Sequence, residues 1–202
     1  MAKVIGVSGP QGGGKTTLLA GLKEKGLFVD DFKVAREVQA QLGWTSLERV
    51  MDSVDTMMAF QTKIVNVKRE REEQNRARTD VDLIFTERTF ADIAAYTQLW
   101  SFELACSGKW SKEDASQFAT EFADDCSYFQ NSYAGNMLLP FMPHIAWQAD
   151  PSRAQHHHIK FITNELDVFF ETLNPKTVPV FTVASGSIVD RVEEAHAWVK
   201  TL

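Results

Sequence analysis

Apolar runs and apolar stripes alternate along this chain. Lys3 to Ser8 (KVIGVS) is a short β-branched run closed by Gly9 and Pro10, which predicts a buried strand. From Lys15 to Lys25, Leu18, Leu19 and Leu22 share one helical face, and Gly26 stops the helix. Leu27 to Asp31 predicts a second short strand. A capping box from Thr45 to Glu48 opens a long helical pattern, in which Leu47, Val50, Met51, Val54, Met57, Met58, Ile64 and Val65 recur at three- and four-residue steps. Val81 to Thr86 predicts the next strand, and Phe90 to Cys106 the next helix.

Ser111 to Asn131 predicts another helix, with Ser111 and Asp114 as a looser capping box. Pro140 and Pro143 interrupt the chain before a strand candidate at His144 to Gln148. Ala154 to Leu173 carries apolar residues at helical spacing, Val178 to Val183 predicts a last strand, and Ser187 to Leu202 a closing helix. Strands alternating with helices predict an α/β fold, a mostly parallel twisted sheet with helices on both faces. The strand-poor stretch at about 100–140 reads as a helical insertion within a single domain over 1–202.

Composition narrows the class without naming a chemistry. The 202 residues are 44% hydrophobic and 24% charged, which places the chain among globular proteins and away from disordered or fibrous ones. It carries neither a membrane-length apolar run nor a signal-peptide pattern, and its two cysteines make no disulfide framework; a cytoplasmic protein without a membrane partner is expected. A net charge of -6 argues against general nucleic-acid binding and leaves room for a local basic patch.

The chemistry starts at GPQGGGKT, residues 9–16, which matches G-x-x-x-x-G-K-[ST] between a predicted strand and a predicted helix. Gly9, Gly12, Gly13 and Gly14 let backbone amides converge on an anion, with Gln11 and Thr17 flanking the same turn. Lys15 would reach the β- and γ-phosphates of ATP, and Thr16 would offer its hydroxyl to Mg²⁺. A dinucleotide fingerprint is disfavoured, because its third glycine position holds Thr17.

Further candidates surround this loop. Glu87 and Arg88 follow an apolar strand; there a carboxylate can hold Mg²⁺ and a guanidinium can bridge phosphate oxygens, while a helix-start acid and a surface arginine explain them equally well. Asp30 and Asp31 end the second strand, where one of them can orient an acceptor hydroxyl or both can simply start a turn. Gln61 interrupts the apolar face of the long helix as a core amide or as a reader of a nucleobase edge. Arg153, on a lid segment at about 150–160, can close over phosphates or belong to a surface turn. The basic and acidic residues from Lys68 to Arg78 read as a solvated helix face. His156, His157 and His158 fan apart on a helix, so no zinc site is assigned.

Taken in order, the chain resembles the P-loop nucleoside and nucleotide kinases, above all the nicotinamide-riboside-kinase type and phage-encoded (deoxy)nucleotide kinases. GPQGGGKTT at 9–17, VDD at 29–31, the Phe60-Gln61 pair, TERTFADIAAYT at 86–97 and DPSR at 150–153 carry the resemblance. It implies ATP and Mg²⁺ as cofactors and a nucleoside or nucleoside monophosphate as acceptor, in a host cytoplasm if phage-encoded. It further implies Glu87 and Arg88 on metal and phosphates, a strand-2 aspartate on the acceptor hydroxyl, Gln61 on the base and Arg153 on the phosphates. Thr89 stands where such kinases usually carry serine, and the lid offers one arginine. A kinase of a hydroxymethylated base in DNA and a P-loop ATPase or switch are the rival readings. The oligomeric state, a homodimer included, stays open.

Overall fold

The computed structural model describes residues 1–141, 156–172, 178–184 and 186–202. Its five strands are β1 (Lys3–Ser8), β2 (Phe28–Asp30), β3 (Leu83–Glu87), β4 (Gly135–Leu138) and β5 (Val180–Thr182). They form one sheet in the order β2-β3-β1-β4-β5, every neighbouring pair parallel. The helices are α1 (Lys15–Glu24), α2 (Val34–Gln41), α3 (Val54–Ala77), α4 (Phe90–Cys106), α5 (Lys112–Gln130), α6 (His156–Thr172) and α7 (Ile188–Val199).

Pleating divides the apolar side chains between two cores. Ile5, Val7, Val29, Phe85 and Met137 meet Leu18, Leu19 and Leu22 of α1 and Val192 and Ala195 of α7. Val4 and Leu138 face the larger core built by α2 to α6, with Phe60, Phe90, Leu104 and Leu166 among its buried members. The parallel sheet is therefore covered on both faces, as near-continuous apolar strands require. From the central strand β1 the chain leaves toward β2, and from its neighbour β3 it leaves toward β4. The two connections diverge, which opens a crevice at the carboxyl ends of β1 and β3.

Several expected elements shift. The run expected as one helix from Leu47 is broken into a 3-10 turn, Leu47–Met51, capped by Ser46 and not Thr45, and α3, capped by Ser53, whose Oγ accepts the Thr56 amide at 3.1 Å. Met58, expected inside, is exposed; the inward stripe of α3 is Met57, Phe60, Gln61, Ile64, Val65 and Lys68. Helix α2 carries too short a stripe, Val34 and Val38, to stand out in the sequence. Strand β4 lies inside the stretch expected to be helical, because its residues GNML carry little strand propensity and are held by burial between β1 and β5. The His144 to Gln148 candidate lies outside the described residues.

Candidate active site

The phosphate loop joins β1 to α1 with backbone that only glycine adopts easily. Gly9, Gly12 and Gly14 have φ of 151°, 82° and 90°. A side chain on Gly9 would also strike the Leu139 carbonyl, 2.6 Å from its Cβ position. Gly14 starts α1 without a side-chain cap, which leaves the positive end of the helix to an external anion. Lys15 is buried, and its Nζ donates to the Gly9 carbonyl and to the Pro10 carbonyl at 2.9 Å, so the loop closes around the ammonium. Gly13 is inside, Gln11 partly exposed, and Gly12, Thr16 and Thr17 face solvent.

Glu87 ends β3 beside this loop. The Thr16 hydroxyl donates to its Oε2 at 3.4 Å, and Lys33, just ahead of α2, donates Nζ to the same oxygen. Burial raises the Glu87 carboxyl, but Lys33 and Lys15 more than reverse this and hold it below the ordinary carboxylate range. A hydroxyl and a carboxylate suit Mg²⁺, a hard cation that takes one or two protein oxygens and completes its shell with water and phosphate oxygens. Among the described residues no cluster of three or more His, Cys, Asp or Glu side chains competes as a metal site.

Arg88 follows with φ 63°, a left-handed conformation unusual outside glycine and a common mark of functional turns. Its amide donates to Val7 at 3.2 Å, and its guanidinium lies 4.7 Å from the Tyr96 ring centroid. Burial disfavours the Arg88 charge, yet Tyr96 and Asp92 hold its pKa above the ordinary value. Lys15 goes the other way: burial, then repulsion from Arg88, lowers it to about 8. Packing these cations together favours an anion between them.

The strand-2 aspartates part company. Asp30 points to α3, where Arg71 binds it bidentately at 2.8 and 2.6 Å, Asn75 donates at 2.8 Å and the Phe32 amide at 3.2 Å. Burial raises its carboxyl, and these donors together hold it below the ordinary value. Asp31 points to the α1 side and pairs at the surface with Lys23 at 2.7 Å. The structure thus brings together the loop, Lys15, Thr16, Glu87 and Arg88, and sets both aspartates apart in other ion pairs. Gln61 is 1% exposed, and among the described residues neither its Oε1 nor its Nε2 has a hydrogen-bond partner. Arg153 lies outside the described residues.

Four residues of this neighbourhood are given no role at the site by the sequence. Asp92 is buried and accepts the Gly9 amide at 3.2 Å and the Thr89 amide at 2.9 Å, tying the loop to the start of α4. Its signal was the T-x-x-D spacing of a capping box. Lys68 is buried on α3, paired with Glu72 at 2.6 Å and donating to Thr86 Oγ1 at 2.7 Å and the Glu87 carbonyl at 3.1 Å. Arg191 of α7 donates to the Gly13 carbonyl at 3.1 Å from beneath the loop. The fourth is Lys33. The Lys68 to Arg78 stretch is therefore no plain solvated face, since Lys68, Glu72 and Asn75 are buried in a polar network with Asp30 and Tyr133.

Comparison with known proteins bears on the family and the fold. A family model described as an AAA domain matches residues 4–191. The chain belongs to that family. No curated protein sequence matches it. Among solved structures, it is similar to deoxyadenosine kinase from M. mycoides with bound dATP, at 14% identity and a TM-score of 0.61, covering 98% of this chain and 99% of that one. It is also similar to thymidylate kinase from Candida albicans, at 12% identity and a TM-score of 0.55, covering 99% of this chain and 92% of that one. At such identities the likeness establishes the fold, the P-loop NTPase fold with an all-parallel sheet. Among the described residues, no helix is long and apolar enough to cross a membrane.

Proposed function

We propose that this protein is an ATP-dependent phosphotransferase whose acceptor is a nucleoside or a (deoxy)nucleoside monophosphate. The observation that carries the acceptor is Gln61. Lys68 marks the carboxyl edge of β3 through its bond to Glu87, and Gln61 lies seven residues before it on α3, roughly 10 Å toward the start of that helix. A buried amide with both ends unpaired costs about 1–3 kcal/mol per lost partner, so its place is explained by a partner that arrives with the ligand. A nucleobase edge offers the matching donor and acceptor. Phe60, next to it, stacks on Trp44 at 5.5 Å and meets Trp100 edge-on at 5.9 Å, an aromatic setting suited to a flat base.

In this reading the loop amides and Lys15 hold the ATP phosphates, and Arg88 steadies charge on the transferring group. Thr16 and Glu87 would hold Mg²⁺, which would supply positive charge to offset that of the phosphates. Asp31 is the aspartate with acceptor capacity to spare, since Asp30 is filled by four donated hydrogen bonds. Arg153 would add a lid cation. The fold neighbours, a deoxyadenosine kinase and a thymidylate kinase, support acceptors of this class. The test is a scan of nucleosides, nucleoside monophosphates and hydroxymethylated DNA with γ-labelled ATP. Label on a small acceptor is expected; label on DNA or only on free phosphate would replace this reading by a DNA kinase or an ATPase.

A further inference from the structure

Lys33 stands where the proposed chemistry gives it no task. It lies just ahead of α2, and its carbonyl accepts the Arg36 and Glu37 amides at 3.0 Å each, so its backbone is part of the first turn of that helix. Its ammonium is bonded to Oε2 of Glu87, the same oxygen that faces the Thr16 hydroxyl at 3.4 Å. This carboxylate oxygen is thus already paired with a cation, on the side where a divalent ion between Thr16 and Glu87 would bind. The Glu87 side chain is only 10% exposed, and a buried carboxylate without a counter-charge is costly, whereas the Lys33 side chain is 44% exposed and mobile enough on its four-carbon stem to leave.

We infer that Lys33 is a resident competitor for the metal position. Its ammonium neutralises Glu87 until a divalent cation binds and then vacates Oε2, so that metal loading is felt in the β2–α2 segment that holds Asp31. Lys15 and Arg88 also face this carboxylate, but neither is bonded to it: Lys15 is bound to the Gly9 and Pro10 carbonyls, and Arg88 lies over Tyr96. The inference rests on the reading of Thr16 and Glu87 as the metal-holding pair.

The experiment is a titration of Mn²⁺ into the full chain with a non-hydrolysable ATP analogue, following free Mn²⁺ by electron paramagnetic resonance. Lys33→Met should lower the Mn²⁺ dissociation constant roughly two- to fivefold, the range expected when a competing, partly exposed ion pair is removed. Lys33→Arg, which keeps the charge and the pairing, should stay within about twofold of the parent. Lys25→Met removes an equal charge from the surface pair with Glu193 and should change nothing, which separates competition at Oε2 from the effect of net charge. Unchanged or weaker Mn²⁺ binding by folded Lys33→Met, or an equal gain from Lys25→Met, overturns the inference. Glu87→Gln distinguishes the two layers. If it weakens Mn²⁺ binding while Lys33→Met changes nothing, the role of Lys33 alone falls; if it too changes nothing, the metal reading falls with it.

Discussion

The Gly9 amide donates to Oδ1 of Asp92 at 3.2 Å, while Oδ2 of the same carboxylate accepts the Thr89 amide at 2.9 Å. One buried side chain therefore sets the first residue of the phosphate loop against the turn that carries Glu87 and Arg88. Asp92→Ala would leave two buried amides unpaired, at about 1–3 kcal/mol each. In a chain of this length that lowers the melting temperature by roughly 2–4 °C per kcal/mol. Thermal melts should show this loss together with weaker ATP binding; a stable variant with normal ATP affinity would show that the loop is positioned without Asp92.

Lys15→Ala is expected to abolish phosphoryl transfer while the chain stays folded, because the γ-phosphate loses its principal protein cation. Thr16→Ala should be partly rescued by raised Mg²⁺, since a lost metal ligand weakens binding without removing the others. Single-turnover assays across Mg²⁺ concentrations check both, and an Mg²⁺-independent Thr16→Ala defect would remove Thr16 from the metal site.

The acidity of Lys15 gives a pH signature. Burial first, and Arg88 second, lower its pKa from 10.5 to about 8, so between these values the unfolded chain binds more protons than the folded one. The destabilising contribution of Lys15 is full below pH 8 and fades as pH rises toward 10.5. Lys15→Met should therefore be more stable than the parent below pH 8, an advantage that shrinks above it. Phosphates on the ammonium reverse the shift, so ATP binding near pH 8 should take up a fraction of a proton. Calorimetry in two buffers of different ionisation enthalpy measures this uptake, and Lys15→Met should lose it.

The two aspartates should separate by assay. Asp30→Asn breaks a buried bidentate pair with Arg71 and should cost melting temperature. The low pKa of Asp30 gives the sign: its stabilising contribution is present above the unfolded carboxylate pKa and is lost as pH falls through the lower folded value. Asp31→Asn removes an exposed pair with Lys23, worth at most about 1 kcal/mol. It should melt like the parent and lower kcat far more than it raises KM for ATP. Equal, small kinetic effects from both would assign the acceptor hydroxyl to another group.

Gln61→Leu keeps the shape and removes two unpaired polar atoms, so the melting temperature of the ligand-free chain should hold or rise. With a base as its partner, kcat/KM for the acceptor should drop about ten- to a hundredfold while ATP affinity stays unchanged. A variant that melts several degrees lower and keeps its acceptor preference would make Gln61 a structural residue.

The sequence by itself determined what local rules control. The phosphate loop was legible because its glycines and its Lys-Thr pair must be contiguous, and α4 because seventeen residues of apolar and aromatic pattern leave little alternative to a helix. Tertiary structure decided what depends on partners distant in the chain. Strand β4 exists because β1 and β5 supply its hydrogen bonds, not because GNML favours a strand. The partition of Asp30 and Asp31 follows from which helix lies on each face of the sheet, and Lys68, read as a solvated charge, is buried because Glu72 pairs with it and the Thr86 hydroxyl and Glu87 carbonyl accept its hydrogen bonds there. Lys33 and Asp92 meet the site across 54 and 83 residues of sequence, a separation that no local pattern encodes and that only the packed sheet closes.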